Sequence, residues 1–432
     1  MAGASLGSGV GAAATALAGL DRTQLAALGR EWLLHGHLQD RVGMPLLLEI
    51  TDREGMQAVA IEEWMVASPI YSRRMQRALN FEGHGVDTIC KNLQFDIGAP
   101  HQFMDFRFRL IDESHAEFWL AHCGALMDVE PMGEDFVVGM CHAIEDPTFD
   151  ATAAATNPLV QVRPIHRPPR QPADRMPHCH WRIDIVADGP AVTPHPRQPV
   201  LEGSEIARLP IPRPDAATGP GEMVDYAGPF DPDFQLDRLS RSALLAVLQE
   251  VALQSQLLLR SYQLAVAHRF GDEVADGLLP RVVAGWAGLT SERIRLAFGL
   301  PATASGLATA IRLHPLFQPS AYIGMAVEQV SERELRLAFG DCPALAEHEP
   351  SSWVGELGIG AKTTAMDDAL GAVLRGFDPR VRCLAQSPGP GEKHTYRVTL
   401  DLDAEPLSSV PELELARIST GARFRLTGGR RG

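Results

Sequence analysis

Three cysteines in the first half of the chain stand next to histidines. Cys123, Cys141 and Cys179 each have a histidine as a direct neighbour, as in the segment PHCHW at 177–181. Thiolates and imidazoles are the ligand set of zinc and of iron. His166, in the segment HRPPR, adds a candidate fourth ligand. This pattern predicts a site for zinc or iron, built from Cys123, Cys141, His166 and Cys179.

Each of these positions also has a simpler interpretation. A single cysteine on a strand is most often a small buried hydrophobic residue, and Cys90, at helical spacing from Val86 and Leu93, is read as one. Four protein ligands make a closed structural zinc site, whereas a catalytic ion needs an open position. Whether the metal is structural or catalytic, and which histidine binds it, therefore stays open.

Polar residues close to the cysteines could carry acid–base chemistry and bind a substrate. Asp146, in IEDPTF, is a candidate general base or a turn-forming residue before a proline, and His142 is a second candidate for moving protons. Arg167 and Arg170 lie in a stiff loop and could hold a substrate carboxylate, or they could be exposed arginines of an acidic protein. The sequence has no GxSxG, Walker or HExxH motif.

The chain contains two related halves. LDRTQLAAL, AHCGAL and VRPI of the first half match LSRSALLAV, GDCPAL and VRCL of the second half, each at an offset of 219 residues. HWRI matches TYRV at an offset of 215, which implies a four-residue deletion. A constant offset at separate places is the signature of an internal repeat. The sequence therefore predicts two homologous lobes, residues 20–195 and 236–405.

The second lobe serves as a control for the predicted metal site, because only one of the four ligands is matched there by a cysteine. The counterparts are Cys342 for Cys123, Gly360 for Cys141, Ala385 for His166 and His394 for Cys179. A lobe that folds without the set does not need it for folding. The first-lobe set is therefore interpreted as an added site and the second lobe as a degenerate copy.

Each lobe is predicted to begin with helices and to continue with strands. The segment that starts at Ser240 has apolar residues at helical spacing, and 106–123 alternates as a hairpin. Helices packed on an antiparallel sheet make an α+β fold. Outside the lobes, residues 1–19 are read as a flexible leader, 196–235 as a Pro/Gly-rich linker and 406–432 as a C-terminal tail.

Composition limits the classes of partner. The chain has 432 residues and a formal charge of −15, which argues against a nucleic-acid surface. No apolar run reaches the roughly 18 residues of a membrane span, and no export signal is recognised. Six cysteines are too few for a disulfide scaffold. We expect a cytoplasmic protein with a small-molecule substrate, no nucleic acid and no membrane partner, while a homo-oligomer stays open.

The order of these segments resembles a known family. A helical start, HCGALMD, MCHAIEDP, RPPR and a closing PHCHW resemble the L-2-amino-thiazoline-4-carboxylic acid hydrolase-like domains. More distantly, the layout is similar to the 4-vinyl-reductase-type small-molecule-binding domains, some of which carry a cysteine-rich zinc site. The resemblance covers 20–195, and extends to 236–405 only through the internal repeat.

The resemblance implies a metal-dependent hydrolase that acts on a C=N or C–N bond of a small heterocyclic or amidine-like carboxylic acid. The metal would activate water, Asp146 or His142 would move protons, and Arg167 or Arg170 would bind the carboxylate. The alternative is a metal-stabilised small-molecule-binding or sensor module without catalysis. A purely structural duplicated protein is the third interpretation, and it predicts no metal.

Overall fold

A computed structural model describes residues 17–216, 219–347, 357 and 369–427. The chain divides into two compact units. The first unit contains Arg22–Gly203, Pro210–Ala265 and the segment that begins at Ser419, and the second contains Ser204–Leu209 and Val266–Ile418. The predicted site residues of the first lobe all belong to the first unit.

The first lobe begins with helices and then alternates strands with helices. Its helices before the sheet are α1 (Arg22–Leu38), α2 (Asp40–Leu47), α3 (Arg53–Ala78) and α4 (Val86–Leu93). The sheet and its connections are β1 (Met104–Leu110), β2 (His115–Cys123), α5 (Gly124–Val129), α6 (Glu134–Val138), a π-helix (Gly139–Ile144), α7 (Glu145–Ala154), β3 (Val160–His166) and β4 (Cys179–Ile185). A short helix, α8 (Gln198–Glu202), follows.

The first-lobe sheet is antiparallel with the strand order β1-β2-β4-β3. Along β4, buried residues alternate with more exposed ones, so that Cys179, Trp181 and Ile183 face the core. Trp181 pairs with Phe118 of β2, and the two rings stack with centroids 6.2 Å apart. The period-2 pattern of the sequence thus decides which strand residues face the helices.

The second lobe repeats this order of elements. Its helices and strands are α9 (Arg241–Phe270), α10 (Asp272–Ala297), α11 (Ala304–Leu313), β5 (Met325–Gln329), β6 (Glu334–Gly340), α12 (Pro343–Ala346), α13 (Ala369–Phe377), β7 (Val381–Gln386) and β8 (Glu392–Leu400), and α14 (Pro411–Ala416) follows. Its strand order is β5-β6-β8-β7, the same as in the first sheet. The predicted α+β class, with helices packed on antiparallel sheets, is confirmed, and the two-lobe architecture is compatible with internal duplication.

Strand pairing refines the correspondence between the lobes. Phe118 pairs with Trp181 as Leu337 pairs with Tyr396, which preserves the offsets of 219 and 215. The third strands, β3 and β7, differ from the sequence match. When their residues are matched by their pairing partners on β4 and β8, β7 follows β3 at an offset of 221 instead of 219. Pro164 pairs with Trp181, and Ala385 pairs with Tyr396. The counterpart of Pro164 is therefore Ala385, which the sequence match had assigned to His166. Gly360, the predicted counterpart of Cys141, lies outside the described residues.

Helix α9 corresponds to two helices of the first lobe. In the first lobe the chain breaks at Gln39, where α2 begins with Asp40, whereas α9 continues through the corresponding positions. Among the described residues, α9 is the one helix that is long and apolar enough to cross a membrane, judged by length and composition alone. In its most apolar window, 83% is buried inside the protein. Such burial is typical of the core helix of a folded domain.

The segment 196–235, predicted as a linker from its composition, contributes aromatic side chains to the first unit. Tyr226 and Phe234 are buried, and their rings stack with centroids 5.0 Å apart. Phe95 of the first lobe lies against both rings. Widely spaced aromatic residues can therefore attach a Pro-rich segment to a core, because each ring buries a large apolar area.

Candidate functional site

The structure brings the three predicted cysteines into one buried region. Cys123 ends β2, Cys141 lies in the π-helix and Cys179 begins β4. All three side chains are buried. Burial and the nearby carboxyl of Glu145 raise the pKa of each thiol, that of Cys123 to about 12. The charge of Cys123 adds to the shifts of the other two pKa values, so the three sulfurs lie within electrostatic range of one another.

Glu145 is the carboxylic acid of this cluster, one residue from the predicted base. It is the first residue of α7 and directly follows the π-helix, an element that often marks functional sites. Burial raises the pKa of Glu145 to about 8, against the opposing charge of Arg167 and with a smaller contribution from Asp146. Its buried Oε2 has no hydrogen-bond partner among the described residues. At neutral pH this carboxyl therefore holds a proton that it can donate.

His166 does not join the three cysteines. It pairs across the sheet with His180, and the two ring centroids are 6.1 Å apart. His180 points away from the core face that carries Cys179, and its Nε2 lies 2.9 Å from Glu117 Oε2. The predicted fourth ligand is thus on the opposite face of the sheet from Cys179.

The donor types of the cluster suit zinc or iron, but their arrangement does not form a metal site. Within the described ranges, no group of three or more His, Cys, Asp or Glu side chains is placed to hold an ion. Cys123 Sγ instead accepts a hydrogen bond from Leu126 N at 3.3 Å and lies 3.8 Å from Met104 Sδ. We therefore derive no chemical step through a metal, and the metal itself stays a prediction.

The other predicted residues are engaged with nearby groups. Asp146 forms an ion pair with Arg167. Arg170 makes a bidentate pair with Glu130, with both N–O distances at 2.7 Å. His142 Nε2 lies 2.7 Å from a backbone carbonyl, that of Pro168. These contacts fix the HRPPR loop to the helical segment before it, so the arginines already have carboxylate partners.

A cavity lies beside the thiol cluster, with a volume of 120 Å³. Its wall contains apolar side chains of the sheet and helices together with Asp40, Arg41, Asp96 and Glu145. Apolar walls with a few convergent polar groups are typical of small-molecule sites. Arg41 also lowers the pKa of Cys123, against the larger effect of burial, which places the guanidinium within electrostatic range of the cluster.

Asp96 presents one occupied and one unoccupied carboxylate oxygen. Its Oδ1 accepts hydrogen bonds from Tyr71 Oη at 3.1 Å and from Gly98 N at 2.7 Å. Its Oδ2 is buried and has no partner in the described part of the chain. Burial raises the pKa of Asp96 to about 6, although both hydrogen bonds oppose this shift. The carboxyl is therefore mostly ionised at neutral pH.

Asp40 is a second carboxyl on the cavity wall. Its Oδ2 accepts a hydrogen bond from Trp64 Nε1 at 3.0 Å. Glu63 lies behind it, fully buried. Burial, and secondarily the charge of Asp40 and a side-chain hydrogen bond to it, raise the pKa of Glu63 well above its ordinary value, which favours a protonated Glu63 that donates to Asp40. An unpaired buried carboxylate oxygen is costly, which makes Oδ2 of Asp96 the candidate ligand contact.

Arg41 is the cation of the cavity. Its Nη2 lies 3.4 Å from His37 Nε2, and its Nε lies 3.6 Å from Asp128 Oδ2. Burial, and secondarily the Arg41 charge, lower the pKa of His37 well below its ordinary value, so His37 is neutral. The cavity therefore combines a guanidinium at one part of its wall with carboxyl groups at others.

Sequence reasoning did not identify Asp40, Glu63 and Asp96, although the internal repeat carried a signal for them. At the offset of 219, the buried or half-buried acids of the first lobe fall on apolar residues of the second. The counterparts are Leu259 for Asp40, Val282 for Glu63 and Pro315 for Asp96. Acids that interrupt apolar helical segments in one copy only are candidates for function, because folding of the other copy does not require them.

Comparison of the chain with protein families, with curated proteins and with solved structures finds no match.

Proposed function

We propose that the first lobe hydrolyses a C=N or C–N bond of a small heterocyclic or amidine-like carboxylic acid. The observation that carries this proposal is Glu145, a carboxyl on the cavity wall that keeps its proton at neutral pH. A pKa near the working pH suits general acid–base catalysis, and a carboxyl of perturbed pKa in a cavity is a candidate functional group.

The charges of the cavity wall support this substrate class. Asp96 offers a carboxylate oxygen without a partner among the described residues, and Asp40 adds a second carboxyl to the wall, which suits the N–H groups of an amidine. Arg41 offers N–H donors to a carboxylate. Arg167 and Arg170, the arginines expected from sequence, already pair with carboxylates of the protein. Arg41 is therefore the better candidate for the substrate carboxylate.

The proton movements follow from the protonation state of Glu145. Its carboxyl donates a proton to the nitrogen of the C=N bond as water attacks the carbon. The resulting carboxylate then accepts a proton from the attacking water, which restores the acid. One water is added, and collapse of the adduct cleaves a C–N bond without any change of oxidation state. Burial of this carboxyl maintains its raised pKa.

The proposal is tested by incubating the full chain with 2-amino-thiazoline-4-carboxylic acid and with cyclic amidines that bear a carboxylate. We expect ring opening, detected by mass spectrometry as the gain of one water. Binding without turnover in calorimetry would support the alternative, a small-molecule-binding module. Neither binding nor turnover across the series would contradict the proposed substrate class.

The predicted metal has a direct test in elemental analysis of the purified protein. The sequence predicts about one zinc or iron per chain, lost in Cys141→Ser and in Cys179→Ser because each removes a thiolate ligand. Cys342→Ser in the second lobe is the matched control and should keep the metal. Thermal unfolding of each variant is measured in parallel, because loss of a structural metal also unfolds a domain. Metal that survives both first-lobe substitutions would contradict the prediction.

A further inference from the structure

The segment Ser419–Thr427 binds the first lobe through one carboxylate. Asp128 lies on α5, which directly follows Cys123. Ser419 Oγ donates to Asp128 Oδ2 at 2.7 Å, and both Thr420 N and Thr420 Oγ1 donate to Oδ1 at 2.7 Å. The Asp128 side chain is 8% exposed. Both of its oxygens are therefore occupied by donors from a segment almost 300 residues later in the chain.

Aromatic packing and a paired amide hold the same segment in place. The Phe424 ring lies edge-on to Phe103, with centroids 5.2 Å apart, and stacks on His122 at 5.9 Å. Gln102 Nε2 donates to Thr427 O at 2.6 Å, and Thr427 N donates to Gln102 Oε1 at 2.8 Å. The segment is thus attached at both of its ends, with Asp128 at one and Gln102 at the other.

Asp128 also contacts the cation of the cavity. The distance from its Oδ2 to Arg41 Nε is 3.6 Å, longer than a hydrogen bond. A free carboxylate beside a guanidinium would form a bidentate pair, with two N–O distances of about 2.8 Å. Ser419 Oγ, Thr420 Oγ1 and Thr420 N instead take three of the roughly four acceptor sites of the Asp128 carboxylate. The guanidinium of Arg41 is left on the cavity wall.

We propose that the segment Ser419–Thr427 positions Arg41 to bind the carboxylate of the ligand, by occupying Asp128 in competition with the guanidinium. Ser419, Thr420 and Asp128 are positioning residues in this arrangement, and Arg41 is the residue that contacts the ligand. The inference rests on the proposed function only in taking a carboxylate as the group that Arg41 binds.

Removal of the two hydroxyls should withdraw Arg41 from the cavity. In Ser419→Ala/Thr420→Val, Asp128 loses two of its three donors and recruits the guanidinium. A ligand carboxylate then loses a charge-assisted partner, which corresponds to a loss of affinity of about 10- to 100-fold. The affinity for a ligand without a carboxylate should not change.

The position of Arg41 is measured first by its reaction with 2,3-butanedione, quantified by peptide mass spectrometry on the full chain. We expect Arg41 to react more slowly in Ser419→Ala/Thr420→Val than in the unaltered protein. Asp128→Asn, added to that double substitution, should restore the rate, since the neutral amide lacks the charge that attracts the guanidinium. Thr420→Ser keeps the hydroxyl and should react as the unaltered protein does.

Ligand affinity is measured second, by calorimetry with 2-amino-thiazoline-4-carboxylic acid and with 2-aminothiazoline. Only the carboxylate-bearing compound should lose affinity in the double substitution, and Asp128→Asn should recover it. Equal labelling of Arg41 in all variants, or slower labelling that Asp128→Asn does not reverse, would overturn the inference. If neither compound binds the unaltered protein, the proposed function fails, while the labelling rates still decide the role of the segment.

Discussion

Glu145→Gln is expected to reduce hydrolysis by about 10²- to 10⁴-fold, the range that a positioned general acid contributes. Glutamine has nearly the shape of the acid but cannot donate a carboxyl proton. Because the pKa of Glu145 is raised to about 8 by burial, activity of the unaltered protein should fall as the pH rises through that value. The measurement is the pH profile of kcat for both proteins.

The same substitution separates catalysis from folding. A raised pKa means that the stabilising protonated form is fully present below the ordinary value of the unfolded chain, about 4.3. The free energy of unfolding then falls by an amount on the order of a few kcal/mol as the pH rises towards about 8. Glu145→Gln cannot ionise, so it should be at least as stable as the unaltered protein at pH 8. A folded Glu145→Gln that keeps the activity of the unaltered protein would contradict the catalytic role.

Arg74→Met is expected to lower the free energy of unfolding by about 3–5 kcal/mol, because it leaves a buried charge without its partner. Arg74 of α3 makes a bidentate pair with Glu250 of α9, at N–O distances of 2.9 and 2.8 Å. Their side chains are 7% and 0% exposed. Burial raises the pKa of Glu250 even in the presence of this arginine, so its carboxylate depends on the pair. Urea unfolding provides the measurement.

Two further variants complete that experiment. Arg333→Ala removes an exposed ion pair with Asp401 and should change stability by less than about 1 kcal/mol. Arg74→Met combined with Glu250→Leu removes both buried charges and should recover much of the lost stability. If the double substitution were as unstable as Arg74→Met alone, the loss would come from packing rather than from an unpaired charge.

The fold class and the order of elements could be predicted because they depend on local patterns. Helix α10 has the same length as α3 and starts 219 residues later, in agreement with the offset read from the sequence. The sequence match between β3 and β7, however, was wrong by two residues. A shift of two preserves which side chains face the core, so the alternation of the sequence could not detect it. Only the pairing of Ala385 with Tyr396 decides the register.

The candidate site was predicted in part. The cysteines drew attention because their residue type is rare, and their buried sulfurs lie within electrostatic range of one another. The acids on the cavity wall were missed because an Asp or Glu is usually solvent-exposed, and nothing local shows that Asp96 faces a cavity. His166 was included on residue type alone, whereas its face of the sheet depends on the irregular register between Pro164 and His166.

The attachment of Ser419 to Asp128 has a consequence for synthesis of the protein. Domains generally fold from the N-terminus as the chain leaves the ribosome, but these two residues are 291 positions apart. The first lobe can therefore collapse early, yet the contacts to Asp128 form only after the whole second lobe has been translated. A chain terminated before Ser419 would lack these contacts, so translation through Thr427 would be a condition for a correctly arranged cavity.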